Sequence, residues 1–260
     1  VVRQTGAILQ EDIVMAHYLN FFGDSFTAGD ELMDWKYVEN YPPYKNFREW
    51  SRLSAHERQR PTLDHVDQKK LREEEQQYSY AGLLGGINHG VSGSSMQSIQ
   101  RRVIHYLENT DQKSIIFIQP TGIERWCEYV NNKWVDFISD SEIGEEYMEY
   151  YKFRLSHSTQ ESNLLLWYNC VLTLIAYVKS HHNTVDWWII NNGTFNEIQS
   201  IMKQEKIYSK MITDTFKNLK EKTINFPQVD NMEHPYFCIG GHVNTEAHKE
   251  LAQKIKKKLQ

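Results

Sequence analysis

Four short apolar runs in this chain each stop at a polar turn of small residues, and that punctuation restricts the fold more than composition does. His17-Tyr-Leu-Asn-Phe-Phe22 stops at Gly23-Asp-Ser25, and Ile87 to Val91 at Ser92-Gly93-Ser94. Ser114 to Ile118 stops at Pro120-Thr-Gly122, and Val185 to Ile190 at Asn191-Asn-Gly193. Runs of this length, bounded by turn residues, suit strands buried on both faces of a parallel sheet. The segments between them read as helices. Ser95 to about Glu108 places Met96, Ile99, Val103 and Leu107 on one face. Tyr78 to Leu84 is amphipathic and ends at Gly85-Gly86, while Ser158-x-x-Glu161 is a capping-box signature for a long helix through Leu164 and Val178. A mostly helical region runs to about Lys222, and a loop with Pro227 and Pro235 follows it. Asn244 is a good N-cap for a terminal helix through Leu251, Ile255 and Leu259. Strands alternating with helices predict a mostly parallel sheet covered on both faces. Ligands bind such sheets where loops leave the carboxyl ends of the strands, so the turns should converge on one edge.

The length of 260 residues accommodates one large α/β domain, read here as a single unit over 1–260 with insertions at about 35–77 and 124–158. A net charge of -5 gives no broad basic field and argues against nucleic-acid binding. The run Lys254 to Lys258 reads as the cationic end of a helix, opposing its dipole. Leu164 to Val178 is too short to span a bilayer comfortably and reads as a buried core helix, and the residues from Val1 are not expected to form a secretory signal. Cys127, Cys170 and Cys238 are odd in number and far apart, as expected in a reducing compartment such as the cytoplasm. The aromatic insertions, Trp35 to Trp50 and Trp126 to Tyr151, suit either sugar-stacking platforms or packing against the core.

The turns also carry chemistry. A serine hydroxyl attacks poorly until a histidine accepts its proton, and the reaction needs donors aimed at the developing oxyanion. Ser25 follows a strand and opens a helix, so its N–H is a helix-terminal donor. Gly93 sits on a tight turn, and His242 precedes the capped terminal helix. Each of these residues has a structural role available to it: Ser25 and Asp24 as turn and cap residues, His242 as a histidine before a helix, Asn191 and Asn192 as turn formers. His234, Cys238, His242 and His248 are closely spaced but lack the paired Cys-x-x-Cys that makes a zinc site convincing, and no metal is expected. His181-His182 reads as a helix cap.

Together the turns resemble the conserved blocks of SGNH (GDSL-type) serine hydrolases. Gly23-Asp-Ser-Phe-Thr-Ala-Gly29 is similar to the first block, Asn88-His-Gly-Val-Ser-Gly93 to the second and Gly241-His-Val-Asn-Thr-Glu-Ala-His248 to the last. The blocks come in the family's order and span nearly the whole chain. The resemblance implies a three-layer α/β/α, flavodoxin-like fold with a five-stranded parallel sheet. It implies hydrolysis of an ester, an acyl or acetyl group on a small molecule or glycan, without a cofactor. Ser25 would be the nucleophile, His242 its base, and Gly93 an oxyanion donor, with Asp24 and Asn244 in support and Asn192 near the substrate. Two departures stand out. Thr121 occupies the place of the third block's asparagine, with Gln119 nearby as another donor that points elsewhere. Ile239 and Gly240 occupy the positions where the family carries an aspartate before its histidine. A backbone carbonyl could orient His242, or a remote acid such as Asp230 or Glu233 could; a third reading is a binding-only relative, a carbohydrate-binding or structural module. The style of the first block is similar to SGNH-like proteins of tailed phages, which adds a virion to the possible locations.

Overall fold

Every residue of the run Ser114–Ile118 is buried, and alternate side chains feed two different cores. Ile116 and Ile118 point to one face of the sheet, Ile115 and Phe117 to the other, as the period of a strand requires. A computed structural model of the chain describes residues 18–38, 63–138, 144–181, 183–192, 194–205, 209–226 and 242–260. Its elements run β1 (Tyr18–Phe22), α1 (Ser25–Ala28), α2 (Asp34–Tyr37), α3 (Gln68–Tyr78), α4 (Tyr80–Leu83), β2 (Ile87–Asn88) and α5 (Met96–Glu108). They continue with β3 (Ser114–Ile118), β4 (Arg125–Val130), β5 (Lys133–Ile138), α6 (Met148–His157), α7 (Gln160–Ser180) and β6 (Val185–Asn191). The last are α8 (Thr194–Glu205), α9 (Ser209–Leu219), β7 (Thr223–Asn225) and α10 (Thr245–Leu259).

Five strands form one sheet in the order β2-β1-β3-β6-β7, with every neighbouring pair parallel. Tyr18 to Phe22 pairs in register with Ser114 to Ile118, which in turn pairs with Val185 to Ile189. One face carries Phe22, Ile116, Ile118 and Ile189 beneath α5 and α7, through Ile99, Val103, Leu164, Trp167 and Leu174. The opposite face carries Phe21, Phe117, Ile190 and Ile224 beneath Tyr80 of α4 and Leu251 and Ile255 of α10. The architecture is therefore three-layer α/β/α, as expected. Because β1 lies between β2 and β3, the chain leaves it in one direction and β3 in the other. This is the topological switch point at which parallel sheets open a crevice.

Several boundaries differ from those expected. Strand β2 closes after Asn88, because the chain turns there to approach α1. The helix expected over Tyr78 to Leu84 is two helices broken at Ser79, whose hydroxyl caps the second by accepting from the Gly82 N–H at 3.3 Å. The capping box of α7 uses Thr159 and Ser162 in place of Ser158 and Glu161, each side chain bonded to the other's backbone N–H. Strand β7 falls where a loop was expected. The second insertion is an antiparallel hairpin, β4–β5, docked on α5: Asp136 accepts from the Ser95 N–H and hydroxyl at that helix's start, and Arg101 stacks over Trp134 at 4.1 Å. The other insertion lies largely outside the described residues, as do the lead-in before His17 and Cys238. Cys127 and Cys170 are buried and unpaired. Among the described residues no helix is long and apolar enough to cross a membrane.

Helix α10 is held down by a fully enclosed histidine. Nδ1 of His248 accepts the Tyr80 N–H at 3.0 Å, and the two rings stack at 5.4 Å. Burial, with a smaller contribution from nearby His242, pushes its pKa down to about 3. Below its ordinary value of 6.5 the unfolded chain takes up a proton at this position that the native state refuses. Stability is thus lost as the pH falls through this window, by up to about 1.4 kcal/mol per pH unit. His248→Gln keeps an acceptor for Tyr80 but cannot titrate. In denaturant unfolding between pH about 6.5 and about 5, wild type should lose more stability than the variant. Equal losses would show that His248 does not carry the acid sensitivity.

Candidate active site

The crevice begins at Gly23, where no side chain fits. A Cβ there would lie 2.0 Å from Thr27 Oγ1 and 2.9 Å from Gln119 Cβ. Asp24 then caps α1 by accepting the Phe26 N–H at 3.1 Å, and Ser25 opens the helix with only 4% of its surface exposed. The helix lasts one turn. Gly29, at φ +86°, ends it and returns its N–H to the Ser25 carbonyl at 2.9 Å.

Beneath Ser25, Asp24 joins the two diverging loops of the switch point. One carboxylate oxygen takes Gln119 Nε2 at 2.8 Å; the other takes the Thr121 hydroxyl at 3.0 Å and Arg125 Nη1 at 3.3 Å. Thr27 donates to Gln119 Oε1 at 2.6 Å, so the Tyr80 hydroxyl, 2.7 Å away, must donate to Thr27. A hydroxyl has one proton. That of Thr121 is held by Asp24, which corrects the expectation that it serves the oxyanion. Gln119 points into the same network, bonded to Thr27 and Asp24.

The loop after β2 is locked onto α1. Asn88 Nδ2 donates to the Thr27 carbonyl at 2.7 Å, and the Val91 N–H reaches the Gly23 carbonyl at 3.2 Å. Gly90 presses so closely that a Cβ would lie 2.4 Å from the Ala28 nitrogen. Gly93 follows at φ +75°, a left-handed turn open to glycine. Among the described residues, no acceptor pairs with the backbone N–H of Ser25 or of Gly93.

His242 arrives from the far end of the chain on the residues that precede α10. Asn244 caps that helix as expected, accepting from the Glu246 and Ala247 N–H groups at 3.0 and 3.3 Å. The His242 ring lies 5.3 Å from that of Phe26, the residue after Ser25. Its Nδ1 is 2.8 Å from Glu31 Oε1, a partner 211 residues away in sequence. A described carboxylate thus meets the ring that a backbone carbonyl, Asp230 or Glu233 was expected to orient; the last two lie outside the described residues. Burial alone lowers the pKa of His242, but the bond to Glu31 and the nearby Asp30 and Asp24 charges more than offset it, and the net shift is upward. Among the described residues no hydrogen bond reaches Ser25 Oγ. Sequence reading missed Glu31; its only signal is an acid just past the Gly29 turn.

Asn192 does not join this group. Its side-chain oxygen accepts the Thr194 hydroxyl at 2.6 Å, so it shapes the turn into α8, and Asn191 binds Asn225 Oδ1 at 2.9 Å. Among the described residues no set of three or more His, Cys, Asp or Glu side chains could hold a metal. Of the spaced His and Cys residues, His234 and Cys238 lie outside the described residues, and His248 Nδ1 is taken by Tyr80.

No family profile and no curated protein matches the sequence. Among solved structures the chain is similar to a member of the lipolytic G-D-S-L family from Veillonella parvula DSM 2008. That likeness has 13% identity and a TM-score of 0.45, covering 93% of this chain and 97% of the other. It is also similar to a carbohydrate esterase described as having an active site with divergent catalytic and non-catalytic binding functions. There the identity is 15% and the TM-score 0.47, over 99% of this chain and 65% of that one.

The Asp24 network predicts a stability cost for Thr121→Val, which removes a hydroxyl bonded to a buried carboxylate but keeps the shape. The loss should be about 1.5–3 kcal/mol by denaturant unfolding, and Thr121→Ser should recover most of it. A neutral Thr121→Val would mean that Asp24 does not depend on this donor.

Proposed function

We propose that this protein is a serine hydrolase that cleaves an ester of a small molecule or glycan. Ser25 Oγ attacks the carbonyl carbon as His242 Nε2 takes its proton. The ester C–O bond then breaks, and His242 returns the proton to the leaving alcohol. Water attacks the acyl-serine with the same imidazole as base, and an acid and free Ser25 result. The N–H groups of Ser25 and Gly93 donate to the oxyanion. No cofactor enters the reaction. The observation that carries this reading is the seating of His242 beside the segment that starts at Ser25, with Nδ1 already bonded so that Nε2 remains for proton transfer. The N–H groups of Ser25 and Gly93, without an acceptor among the described residues, support it, since a helix start and a left-handed glycine turn are sources of such donors.

A second reading, a carbohydrate-binding module on the same fold, is favoured by two observations. The Thr121 hydroxyl is committed to Asp24, which leaves one oxyanion donor fewer than the family pattern has. The hairpin also presents Tyr129 and Trp134, 59% and 54% exposed with ring centres 5.2 Å apart, as a stacking surface.

The readings separate in one experiment. The hydrolase should turn over short p-nitrophenyl esters and take a fluorophosphonate label at Ser25. Both should disappear in Ser25→Ala with the fold intact. Equal residual rates in wild type and variant, with no label at Ser25, would reject the hydrolase. Glycan binding unchanged by Ser25→Ala would then support the module.

A further inference from the structure

Building on the hydrolase reading, we propose that Glu31 is the positioning acid of the site. It fixes the tautomer and direction of the His242 ring and stabilises the imidazolium formed when Ser25 gives up its proton. The family resemblance would place that role on an aspartate just before the histidine; here it falls six residues after the nucleophile.

The argument starts from donors and acceptors. A carboxylate only accepts, so the 2.8 Å contact requires the proton to sit on Nδ1. Nε2 is then the basic nitrogen, the one a serine needs. Among the described residues, the other acids whose charges act on His242 are committed elsewhere. Asp24 binds Gln119, Thr121 and Arg125, while Asp30 binds Arg72 and Ser92. Among the described residues a further titratable neighbour is His248, which burial keeps neutral.

Glu31 is also built into place. It is 3% exposed, and its backbone lies at φ +69°, a conformation costly for a residue with a Cβ. Its N–H donates to Glu75 Oε1 at 2.9 Å, and Glu75 is in turn anchored by Arg72 at 2.9 Å. The Gly29 turn immediately before it aims the chain back toward Ser25. A left-handed, buried glutamate costs stability, and its backbone and side-chain bonds hold it there. Such outliers cluster at functional sites. The bond and the surrounding acids raise the pKa of His242 despite its burial, as expected when a base is prepared to become a cation.

The test compares wild type, Glu31→Gln and Glu31→Asp. Glu31→Gln should lower kcat on a p-nitrophenyl ester by about 10²–10⁴-fold and leave KM nearly unchanged; neutralising the acid of a protease triad costs about 10⁴. The acidic limb of its pH–rate profile should move to lower pH, because the neutral amide no longer favours the imidazolium. Glu31→Asp should retain the elevated limb and an intermediate rate, and it remains informative if Glu31→Gln fails to fold. An NMR titration of His242 should show a midpoint above 6.5 in wild type and a lower one in Glu31→Gln. Wild-type turnover with an unmoved limb and an unmoved midpoint in Glu31→Gln would overturn this proposal and leave the hydrolase standing. Absence of wild-type turnover and of Ser25 labelling would reject the hydrolase reading, and the role of Glu31 with it.

Discussion

Asp24 lies where the loops after β1 and β3 part, with 2% of its surface exposed, and both of its oxygens are occupied. A carboxylate taken out of water loses several kcal/mol of solvation, so it persists there only with donors around it. Those donors come from both sides of the crevice: the Phe26 N–H on one side, and Gln119, Thr121 and Arg125 on the other. The group that starts the helix of Ser25 is therefore also the group that closes the sheet beneath it. This explains why Thr121 is no simple replacement for an asparagine. It belongs to the floor of the site and not to its lining.

A second set of buried acids gathers past the C-terminal end of α1. Asp30, Glu31 and Glu75 are all below 6% exposed, and Arg72 bridges Asp30 and Glu75. The packing around His242 is aromatic. Phe26 lies edge-on to Phe226, which lies edge-on to Tyr80, and His242 tilts against Phe26. Apolar walls weaken screening, so the negative charges act on His242 more strongly than they would at the surface. A ring in that setting gains from becoming an imidazolium.

Much of this was legible in the sequence where a local rule decides the outcome. The run Ser114–Ile118 is too apolar for anything but a buried strand, and Asn244 caps α10 because its short side chain reaches the first free N–H groups. Gly23, Ser25 and Gly93 stood out by their places beside strand ends, and His242 by its place before the capped terminal helix. What escaped had no local signature. Strand β7 is three residues long and buries only Ile224, so its pairing with β6 comes from the sheet and not from its own pattern. The hairpin had one unread clue: Asn131-Asn132 take φ of 51° and 59°, the two left-handed positions a tight hairpin turn demands. At α7 both Ser158 and Thr159 could cap, and the choice turned on which one found a reciprocal partner at Ser162. Glu31 was hidden most completely, since its meaning depends on a histidine 211 residues away.

An imidazole needs its acid at Nδ1, and nothing in that demand fixes the distance along the chain. An acid two or three residues before the histidine would travel with the same loop. Glu31 instead belongs to the segment of Ser25: one helical turn, the Gly29 reversal, then the carboxylate. The direction of the His242 ring is thereby set against the backbone of the Ser25 segment. The cost is dependence on distant packing, because His242 reaches this place only when α10 is docked through Leu251, Ile255 and the Tyr80–His248 bond. The packing that docks the last helix therefore also holds His242 beside residues 25 to 31, which ties the proposed site to the core on that face of the sheet.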